Sequence, residues 1–343
     1  MRIKVGDLYF GLRNDGFANV VGIDRENYLL IEEELIIPDK VEYKDRNYIV
    51  NSIDNYAFSN LGRIKKFVIP KTVRIIREIA FYNSNLEKII FLHDEGSEIS
   101  IGRRCFHGCR KLEEISLPEG VISIKESTFC DCTGLKRVNL PNTLAKIEHS
   151  SFLGCINLEK IIIPGSVKLI GDNAFSYCTK LIGNIYFQGI PPSPNFMGNL
   201  VFPTSRKNKE LNTIHINPEY FSYFIGNTSF DKFSFLDSEG TSIESAIYKI
   251  DKKNKTAVVI PKLDKYCLNR YRGVVYILDK IVQGKVEYVV TGIEEFAFTG
   301  CPDLKKVVSP SSLKLGPLDI FDSGDCKIGY YEVPSEKDQD SYT

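Results

Sequence analysis

A phenylalanine recurs at nearly constant spacing through the middle of the chain, and this spacing constrains the fold more than any other feature. The rings stand at Phe58, Phe81, Phe106, Phe129, Phe152 and Phe175, so their sequence numbers rise by 23, 25, 23, 23 and 23. A fixed period of this length is typical of a solenoid, in which each repeat forms one coil that stacks on the next. The sequence therefore predicts an array of six coils over residues 57–181.

Within each coil the apolar residues keep fixed positions, which we number from the phenylalanine. The coil that starts at Phe152 shows the pattern at +6, +9, +11 and +12, with Leu158, Ile161, Ile163 and Pro164. The alternation from +9 to +11 predicts a strand, and the proline ends it because proline has no N–H to donate. A further apolar pair at +15 and +18 predicts a return strand or a tight extended turn. The phenylalanines are expected to form the spine of the stack, each preceded by a small residue.

The full repeat line resembles a known family. Its pattern, A-F-x-x-C-x-x-L-x-x-I-x-[IL]-P-x-x-[VL]-x-x-I-G, is plainest in SFLGCINLEKIIIPGSVKLIGDNAFSYC and resembles the leucine-rich repeat of BspA-type bacterial surface proteins. The resemblance is strongest over residues 53–181 and looser in the flanking segments. It implies a β-rich leucine-rich-repeat solenoid and a non-enzymatic interaction protein at the cell surface or secreted. The implied partners are proteins of host or neighbouring cells, with no cofactor.

Four further segments accompany the array. Residues 1–56 read as strands separated by turns and predict an N-terminal β cap, because a solenoid must cover the apolar end of its first coil. Residues 182–240 are proline-rich and then aromatic, which predicts the cap at the other end. The repeat returns at Phe298, and VEYVVTGIEEFAF (286–298) resembles RNYIVNSIDNYAF (46–58), so residues 241–334 predict a second cap with about two repeats. Residues 335–343 form a polar tail that we expect to be disordered.

Composition narrows the choice of partner and location. The chain has 44 Lys and Arg against 44 Asp and Glu, so its zero net charge argues against nucleic-acid binding. No apolar run approaches about 18 residues, and we expect no transmembrane segment. The first residues run directly into folded-looking sequence without a visible signal peptide. The chain is then either cytoplasmic or numbered from after a removed signal, and the family resemblance implies the second.

Nine cysteines raise the question of disulfides, and five of them share position +3. Stacked coils would place neighbouring Cα atoms about 4.8 Å apart, within disulfide range, but parallel side chains keep the Cβ atoms at a similar spacing, beyond the usual 3.8 Å. This favours buried free thiols that behave as small hydrophobic side chains. The predicted ladder of inward thiols consists of Cys109, Cys132, Cys155, Cys178 and Cys301.

No motif in the sequence indicates catalysis or a metal centre. G-x-S-x-G, H-E-x-x-H and P-loop patterns are absent from the sequence. The histidines occupy unrelated repeat phases and match no cysteine or serine nucleophile at a recognisable spacing; they are His93, His107, His149 and His215. The pair Cys130 and Cys132 has no second ligand pair at zinc-finger spacing. The second coil is two residues longer than the others, and its extra residues fall around 93–98. This segment suggests a solvated acidic loop rather than a calcium site, because its carboxylates do not match an EF-hand loop.

The outward positions of the predicted strands remain as a candidate ligand strip. Position +8 forms a mainly basic column and position +10 a partly apolar one. The alternative is a soluble face whose charges are balanced by column +7, which alternates in sign through Lys65, Glu87, Glu113, Lys136 and Glu159, and this balance favours the soluble face. The ligand strip itself consists of Lys66, Lys88, Glu114, Arg137 and Lys160 at +8 and of Val68, Ile90, Ser116, Asn139 and Ile162 at +10.

Three functional hypotheses follow from the sequence. The first is a protein-binding adhesin that uses the ligand strip, and the second is a glycan-binding module that uses the aromatic rings between Tyr220 and Phe235. The third is a passive spacer without a ligand. The absence of tryptophan, the ring that stacks best on sugars, makes the aromatic segment a better candidate for a core than for a glycan platform. We expect a monomer.

Overall fold

The chain is strand-rich and divides into two compact units, Met1–Asn212 and Thr213–Thr343. The computed structural model describes residues 1–26, 31–94, 96–189, 196–204, 212–217, 233–237, 239–260, 262, 271–283, 286–294, 296–313 and 327–331. Within these residues it contains strands, turns and one turn of 3-10 helix at Thr179–Leu181. The same residues include no helix long and apolar enough to cross a membrane.

The described residues of the first unit form seventeen strands. They are β1 (Arg2–Val5), β2 (Leu8–Leu12), β3 (Phe17–Ile23), β4 (Glu34–Ile36), β5 (Lys40–Tyr43), β6 (Arg46–Ile53), β7 (Lys66–Ile69), β8 (Ile75–Ile76), β9 (Lys88–Phe91), β10 (Ser100–Ile101), β11 (Glu114–Ser116), β12 (Ser123–Ile124), β13 (Arg137–Asn139), β14 (Lys146–Ile147), β15 (Ile161–Ile163), β16 (Leu169–Ile170) and β17 (Ile185–Phe187). The second unit contains β18 (Thr213–His215), β19 (Ser234–Leu236), β20 (Ser242–Ser245), β21 (Ile247–Asp251), β22 (Thr256–Ile260), β23 (Gly273–Tyr276), β24 (Lys280–Gln283), β25 (Val286–Ile293), β26 (Leu304–Pro310) and β27 (Lys327–Tyr331).

Each coil of the first unit contributes one strand to each of two parallel ladders. The predicted strands at +8 to +10 pair in register as β4–β7–β9, β11–β13 and β15–β17, and we call this side of the unit the strand face. The residues at +17 and +18, or at +19 and +20 in the longer second coil, form two-residue return strands. They pair as β8–β10, with β8 also pairing with the end of β6, and as β12–β14–β16. The pair at +15 and +18 therefore builds a return strand. Its +18 side chains are buried because they point between the two ladders.

The phenylalanines form a continuous stack, as predicted. Neighbouring ring centroids from Phe81 to Phe175 lie 5.0–5.3 Å apart with interplanar angles of 17° or less. The stack continues one ring further than the sequence pattern indicates, because Phe202 lies 5.3 Å from Phe175 at 14°. This seventh position was hidden because an irregular insertion lengthens the chain between the two rings. The rings from Phe58 to Phe175 are completely buried between the ladders and form the centre of the core.

The turns around each phenylalanine repeat a left-handed backbone conformation that the sequence analysis did not predict. The residue two before the ring has φ between 53° and 62° in the six coils, at Tyr56, Ile79, Arg104, Ser127, Ser150 and Asn173. The residue two after the ring has positive φ as well, from Asn60 to Tyr177. These turns stack through backbone hydrogen bonds, such as Phe129 N to Ser151 O at 2.8 Å. The register between coils is therefore fixed by hydrogen bonds on a third side, besides the two ladders.

Four of the strands that precede the first coil have counterparts in the second unit. Strands β2, β3, β6 and β5 pair as antiparallel, parallel and antiparallel neighbours, and β21, β22, β25 and β24 pair in the same order. The register shift that follows Ala18 has its counterpart after Ala257. The first residues of β6 and β25 differ in sequence number by 240, whereas the two alanines differ by 239, which reproduces the slippage by one position visible in the sequence. The predicted segment boundaries at 56, 181, 240 and 334 stay predictions.

The second unit has its own core, which Phe298 helps to form. Its cluster of buried residues includes Val259, Tyr271, Tyr288 and Phe298. The Tyr271 hydroxyl accepts a hydrogen bond from Ile247 N at 2.7 Å and donates one to Ile260 O at 2.8 Å. Its burial raises the pKa of this phenol to about 12, so the ring stays neutral and serves as a core residue.

Candidate functional site

The strand face presents two outward columns, which correspond to the predicted ligand strip. Parallel in-register pairing places each +8 residue beside the +8 residue of the next coil, as for Glu34, Lys66 and Lys88 or for Glu114 and Arg137. Lys88, Glu114, Arg137 and Lys160 are exposed, and Lys66 is partly exposed. The structure therefore brings the predicted charged residues onto one surface.

Four ion pairs on this face each join two residues of the same column. In column +8, Lys66 Nζ lies 2.8 Å from Glu34 Oε1, and Arg137 Nη2 lies 2.7 Å from Glu114 Oε2. In column +7 the corresponding pairs are Lys65 with Glu33 at 2.8 Å and Lys136 with Glu113 at 2.9 Å. The hydrogen bond from Lys65 lowers the pKa of Glu33, and the one to Glu114 raises the pKa of Arg137.

The two columns together carry equal numbers of cations and carboxylates. Column +8 has four cations and two carboxylates, once Glu34 of β4 is included, and column +7 has the reverse. The Lys160 ammonium group also lies 4.1 Å from the centre of the Tyr186 ring. A surface composed in this way is not a uniformly basic strip, so we expect charge alone to give it little attraction for a partner.

One member of the apolar column is not on the surface. Val68 is only 9% exposed, which corrects the expectation that it lines the ligand strip. Its in-register neighbours are Ile36 on β4 and Ile90 on β9, and side chains about 4.8 Å away on both sides cover a small one between them. Ile90 is partly exposed, whereas Ile162, Ser116 and Asn139 are exposed. Asn139 Nδ2 donates to Ser116 Oγ at 2.9 Å, so the column is polar in its middle.

The sequence analysis missed residues at both ends of the strand face. At one end, β4 adds Glu34 to the charged column and Ile36, which is 64% exposed, to the apolar column. The segment ELIIP (34–38) repeats the strand part of a coil, as in EKIIIP (159–164), but without the phenylalanine that marked the other copies. At the other end, Tyr186 pairs in register with Ile162. The exposed apolar side chains of the column are therefore concentrated near its two ends.

Cysteines at +3 form a hydrogen-bonded ladder inside the first unit. Each sulfur donates to the carbonyl of the phenylalanine in the preceding coil: Cys109 to Phe81 at 3.1 Å and Cys132 to Phe106 at 3.0 Å. Cys155 and Cys178 do the same at 3.1 Å. All four are free and completely buried, as predicted. The prediction that Cys301 is an inward ladder thiol is wrong, because this side chain lies partly exposed in the second unit.

A group of three metal-binding side chains is formed by two adjacent coils. Donor atoms of His107, Cys130 and Asp131 all lie within 4.8 Å of one another. The search for a histidine paired with a cysteine or serine nucleophile did not predict that His107 lies beside Cys130. Its separation from Cys130 is one full coil, and stacking places both at position +1. The signal was present, and comparing residues one repeat apart would have found it.

This group has a distinctive environment. His107 Nδ1 is buried and has no hydrogen-bond partner among the described residues, while its ring stacks on Tyr82 at 5.1 Å. Burial lowers the pKa of His107, and nearby Arg104 and Arg110 act in the same direction against Asp131. Burial, followed by the Asp131 charge, raises the pKa of the Cys130 thiol to about 12. At neutral pH the Cys130 side chain is therefore a neutral thiol.

The structure describes only parts of the two other candidate sites, the acidic loop and the aromatic segment. In the acidic loop, Lys71 Nζ lies 3.4 Å from Asp94 Oδ2, and the His93 ring nitrogen Nε2 lies 2.5 Å from Ser97 O. Glu95 lies outside the described residues, as do the aromatic rings Tyr220, Phe221, Tyr223, Phe224 and Phe230. Of the proposed glycan platform, the described Phe233 is partly exposed, whereas Phe235 is 9% exposed and belongs to the interior.

Comparison with known proteins links the repeat to a family and to several solved structures. A leucine-rich cell surface protein from Faecalibacterium prausnitzii is 23% identical, with a TM-score of 0.43, over 96% of this chain and 72% of that one. A leucine-rich repeat protein from Bacteroides ovatus is 21% identical, with a TM-score of 0.38, over 96% of this chain and 100% of that one. The pneumococcal vaccine antigen PcpA is 19% identical, with a TM-score of 0.45, over 99% of this chain and 90% of that one. A search of curated protein sequences gives no match.

The family profile described as "BspA type Leucine rich repeat region" matches the chain in six copies. The matched residues are 51–182, 99–237 and 278–339, which cover most of the chain and include the array, its continuation and the repeat at Phe298. These matches agree with the stacked coils and the phenylalanine spine described above. The chain therefore belongs to the BspA-type leucine-rich repeat family.

Proposed function

We propose that this chain is a non-enzymatic interaction protein, displayed on a cell surface or secreted, and that its strand face binds another protein. Family membership supports a scaffold role, because a solenoid offers an extended surface rather than a catalytic pocket. The surface location follows from the resemblance of the repeat to those of bacterial surface proteins. A leucine-rich scaffold does not itself determine the ligand, so the binding residues must be argued from the surface.

The observation that carries this proposal is the exposed apolar column on a face with balanced charges. Ile36, Ile90 and Ile162 are outward-facing aliphatic side chains, and the ion pairs Lys66–Glu34 and Arg137–Glu114 lie on the same face. Protein interfaces commonly combine an apolar centre with a polar rim. Since the cations of Lys66 and Arg137 already have carboxylate partners, the aliphatic residues are expected to supply most of the affinity and the ion pairs the orientation.

Affinity from charged residues and affinity from apolar residues predict different responses to salt in a binding experiment. A partner held by a basic strip would be released by salt, because exposed charges are screened over about 8 Å at physiological ionic strength. A partner held by the apolar column would remain bound. We propose to screen the purified chain against extracellular-matrix proteins, mucins and glycans at low and high salt, and we expect a protein hit that depends only weakly on salt.

Two matched substitutions then test the surface. Ile162→Asp places a charge on the strand face, and Ile122→Asp places one on the return-strand side, where the native isoleucine is similarly exposed. We expect Ile162→Asp, combined with Ile36→Asp, to weaken binding of the hit at least about tenfold. Ile122→Asp should leave binding unchanged, and all variants should keep the melting temperature of the parent chain. Equal binding by all variants would contradict the proposal.

A charge-reversal series separates the first hypothesis of the sequence analysis from this one. Lys66, Lys88, Arg137 and Lys160 replaced together by Glu would abolish binding if a basic strip carried it. Lys146→Glu, on the return strand β14, is the control for a general effect of charge. Binding that survives the fourfold variant but not Ile162→Asp would assign the affinity to the apolar column. A chain that binds nothing in the screen would favour the passive spacer.

A further inference from the structure

We propose that His107, Cys130 and Asp131 bind a divalent cation of the Zn²⁺ type. The three side chains offer an imidazole nitrogen, a sulfur and a carboxylate oxygen, which are the ligand atoms that zinc takes in proteins. In a tetrahedral site these atoms would stand roughly 3.5 Å apart, given zinc–ligand bonds of about 2.0–2.3 Å. In the structure they lie within 4.8 Å of one another, so small side-chain rotations would bring them together.

The backbone holds the three residues in place before any metal binds. Gly108 N donates to Cys130 O at 2.8 Å, which ties the two coils together beside His107. Asp131 N donates to Leu153 O at 2.8 Å in the following coil. Asp131 adopts φ of 57°, a conformation that aspartate tolerates better than most residues. The ligands therefore stand on a rigid stack rather than on a loop.

The neighbouring coil leaves room for the carboxylate. Gly154 occupies the position of Asp131 one coil further on, and a Cβ there would stand 2.5 Å from Asp131 Oδ1. A side chain at Gly154 would thus displace the carboxylate. His107 Nδ1 is a buried ring nitrogen without a hydrogen-bond partner among the described residues, and a bound cation would satisfy it.

The charges of the group suit a divalent ion. Binding replaces the Cys130 S–H bond by a sulfur–metal bond and releases one proton to solvent, so a thiolate and a carboxylate together neutralise two positive charges. Arg104 and Arg110 act against a cation here, but Arg104 Nη2 lies 3.8 Å from Glu126 Oε1, which offsets part of its charge. Since Asp131 is exposed, the fourth position is open to water.

Cobalt provides a direct test, because a thiolate bound to Co²⁺ gives a sulfur-to-metal charge-transfer absorption. The full chain, reduced and stripped with a chelator, would be titrated with Co²⁺ and then with Zn²⁺. We expect one Co²⁺ per chain, a charge-transfer band, and its loss when Zn²⁺ displaces cobalt. A chain that binds no Co²⁺, or binds it without this band, would overturn the proposal.

Matched variants assign the ligands. Cys130→Ala should abolish the band, and His107→Phe, which keeps an aromatic ring on Tyr82, should weaken Co²⁺ binding at least about tenfold. Cys301→Ala and His149→Phe remove the same groups elsewhere and should change neither quantity. Asp131→Asn keeps the left-handed backbone and the fold while weakening an exposed ligand, and we expect at least about a tenfold loss from it as well. A band that persists in Cys130→Ala would place the metal on other cysteines and overturn the assignment.

Discussion

Residues 57–61 and 297–301 open the first coil of each repeat region with similar sequences, AFSNL and AFTGC, yet their side chains pack differently. The backbone is alike, since Tyr56 and Phe296, which precede them, both have φ of 61°. In the first unit Phe58 begins a stack of parallel rings, and Leu61 is buried. In the second unit Phe298 packs at 48° against Tyr271, and Cys301 is partly exposed.

The difference shows what a cysteine at +3 requires. In the array each buried thiol donates to the phenylalanine carbonyl of the preceding coil, as Cys132 does to Phe106. A first coil has no such predecessor, and in the first unit Leu61, which needs no acceptor, occupies the position. In the second unit a cysteine stands there, and its sulfur lies 3.9 Å from Thr299 O of its own coil. A buried cysteine at +3 is therefore stabilised by the carbonyl of the preceding coil and not by its own coil.

The largest effect on stability is expected from removing one ring from the middle of the stack. Phe129 lies between Phe106 and Phe152 at 5.3 and 5.1 Å and is completely buried. Phe129→Ala should lower the free energy of unfolding by about 3–5 kcal/mol, because the cavity is surrounded by coils that cannot collapse into it. Urea denaturation followed by circular dichroism measures the change, and Tyr82→Ala, a half-buried ring outside the stack, is the control. A loss below about 1 kcal/mol would show that the stack is not the spine of the array.

A smaller effect is expected from the thiols. Cys132→Ala removes a buried sulfur and leaves the Phe106 carbonyl without its donor, so we expect a loss of about 2 kcal/mol. Cys301→Ala should change the unfolding free energy by less than about 0.5 kcal/mol, because that side chain is partly exposed. The difference between the two variants in urea denaturation is the measured quantity. Equal losses would mean that Cys301 depends on its surroundings as the ladder thiols do.

Alkylation compares the ladder thiols with Cys301 by an independent measurement. Burial raises the pKa of Cys109 to about 11 and raises the pKa of Cys132 well above its usual value, so at neutral pH these thiols are protonated as well as inaccessible. The thiolate is the reactive form, so both factors slow the reaction. Mass spectrometry after brief iodoacetamide treatment of the folded chain should find Cys301 modified before any ladder thiol. Modification of Cys132 first would contradict the ladder.

Much of the fold could be read from the sequence, because the period constrains every coil at once. The inward positions at +6, +9 and +18 and the ring column follow from repetition and from burial of apolar side chains. What could not be read is local geometry. Val68 is covered because its two register partners are isoleucines, and Phe202 joins the stack although an irregular insertion separates it from Phe175. The charged column illustrates the same limit, since the partner of Lys66, Glu34, lies on the in-register strand β4.

The two candidate sites differ in how far the sequence predicts them. The outward residues of the strand face follow from strand alternation, whereas the group of His107, Cys130 and Asp131 depends on two coils being stacked in register. A reading of each coil by itself places His107 and the cysteine in different repeats and finds no motif. In a solenoid, residues one period apart are neighbours, so motifs have to be sought at that spacing as well as along the chain.

The smallest test concerns the left-handed turns, which the two units share. Ile79 has φ of 62°, where a β-branched side chain is strained, and Phe296 has φ of 61° with an exposed ring. Because asparagine adopts this conformation more readily, Phe296→Asn and Ile79→Asn should each stabilise the chain by roughly 1 kcal/mol. Hydrogen exchange measured peptide by peptide assigns each gain to its own unit. If Phe296→Asn is stabilising and Ile79→Asn is not, the partly buried isoleucine contributes packing that offsets its strain, and the array, unlike the second unit, stabilises the turn through its neighbours.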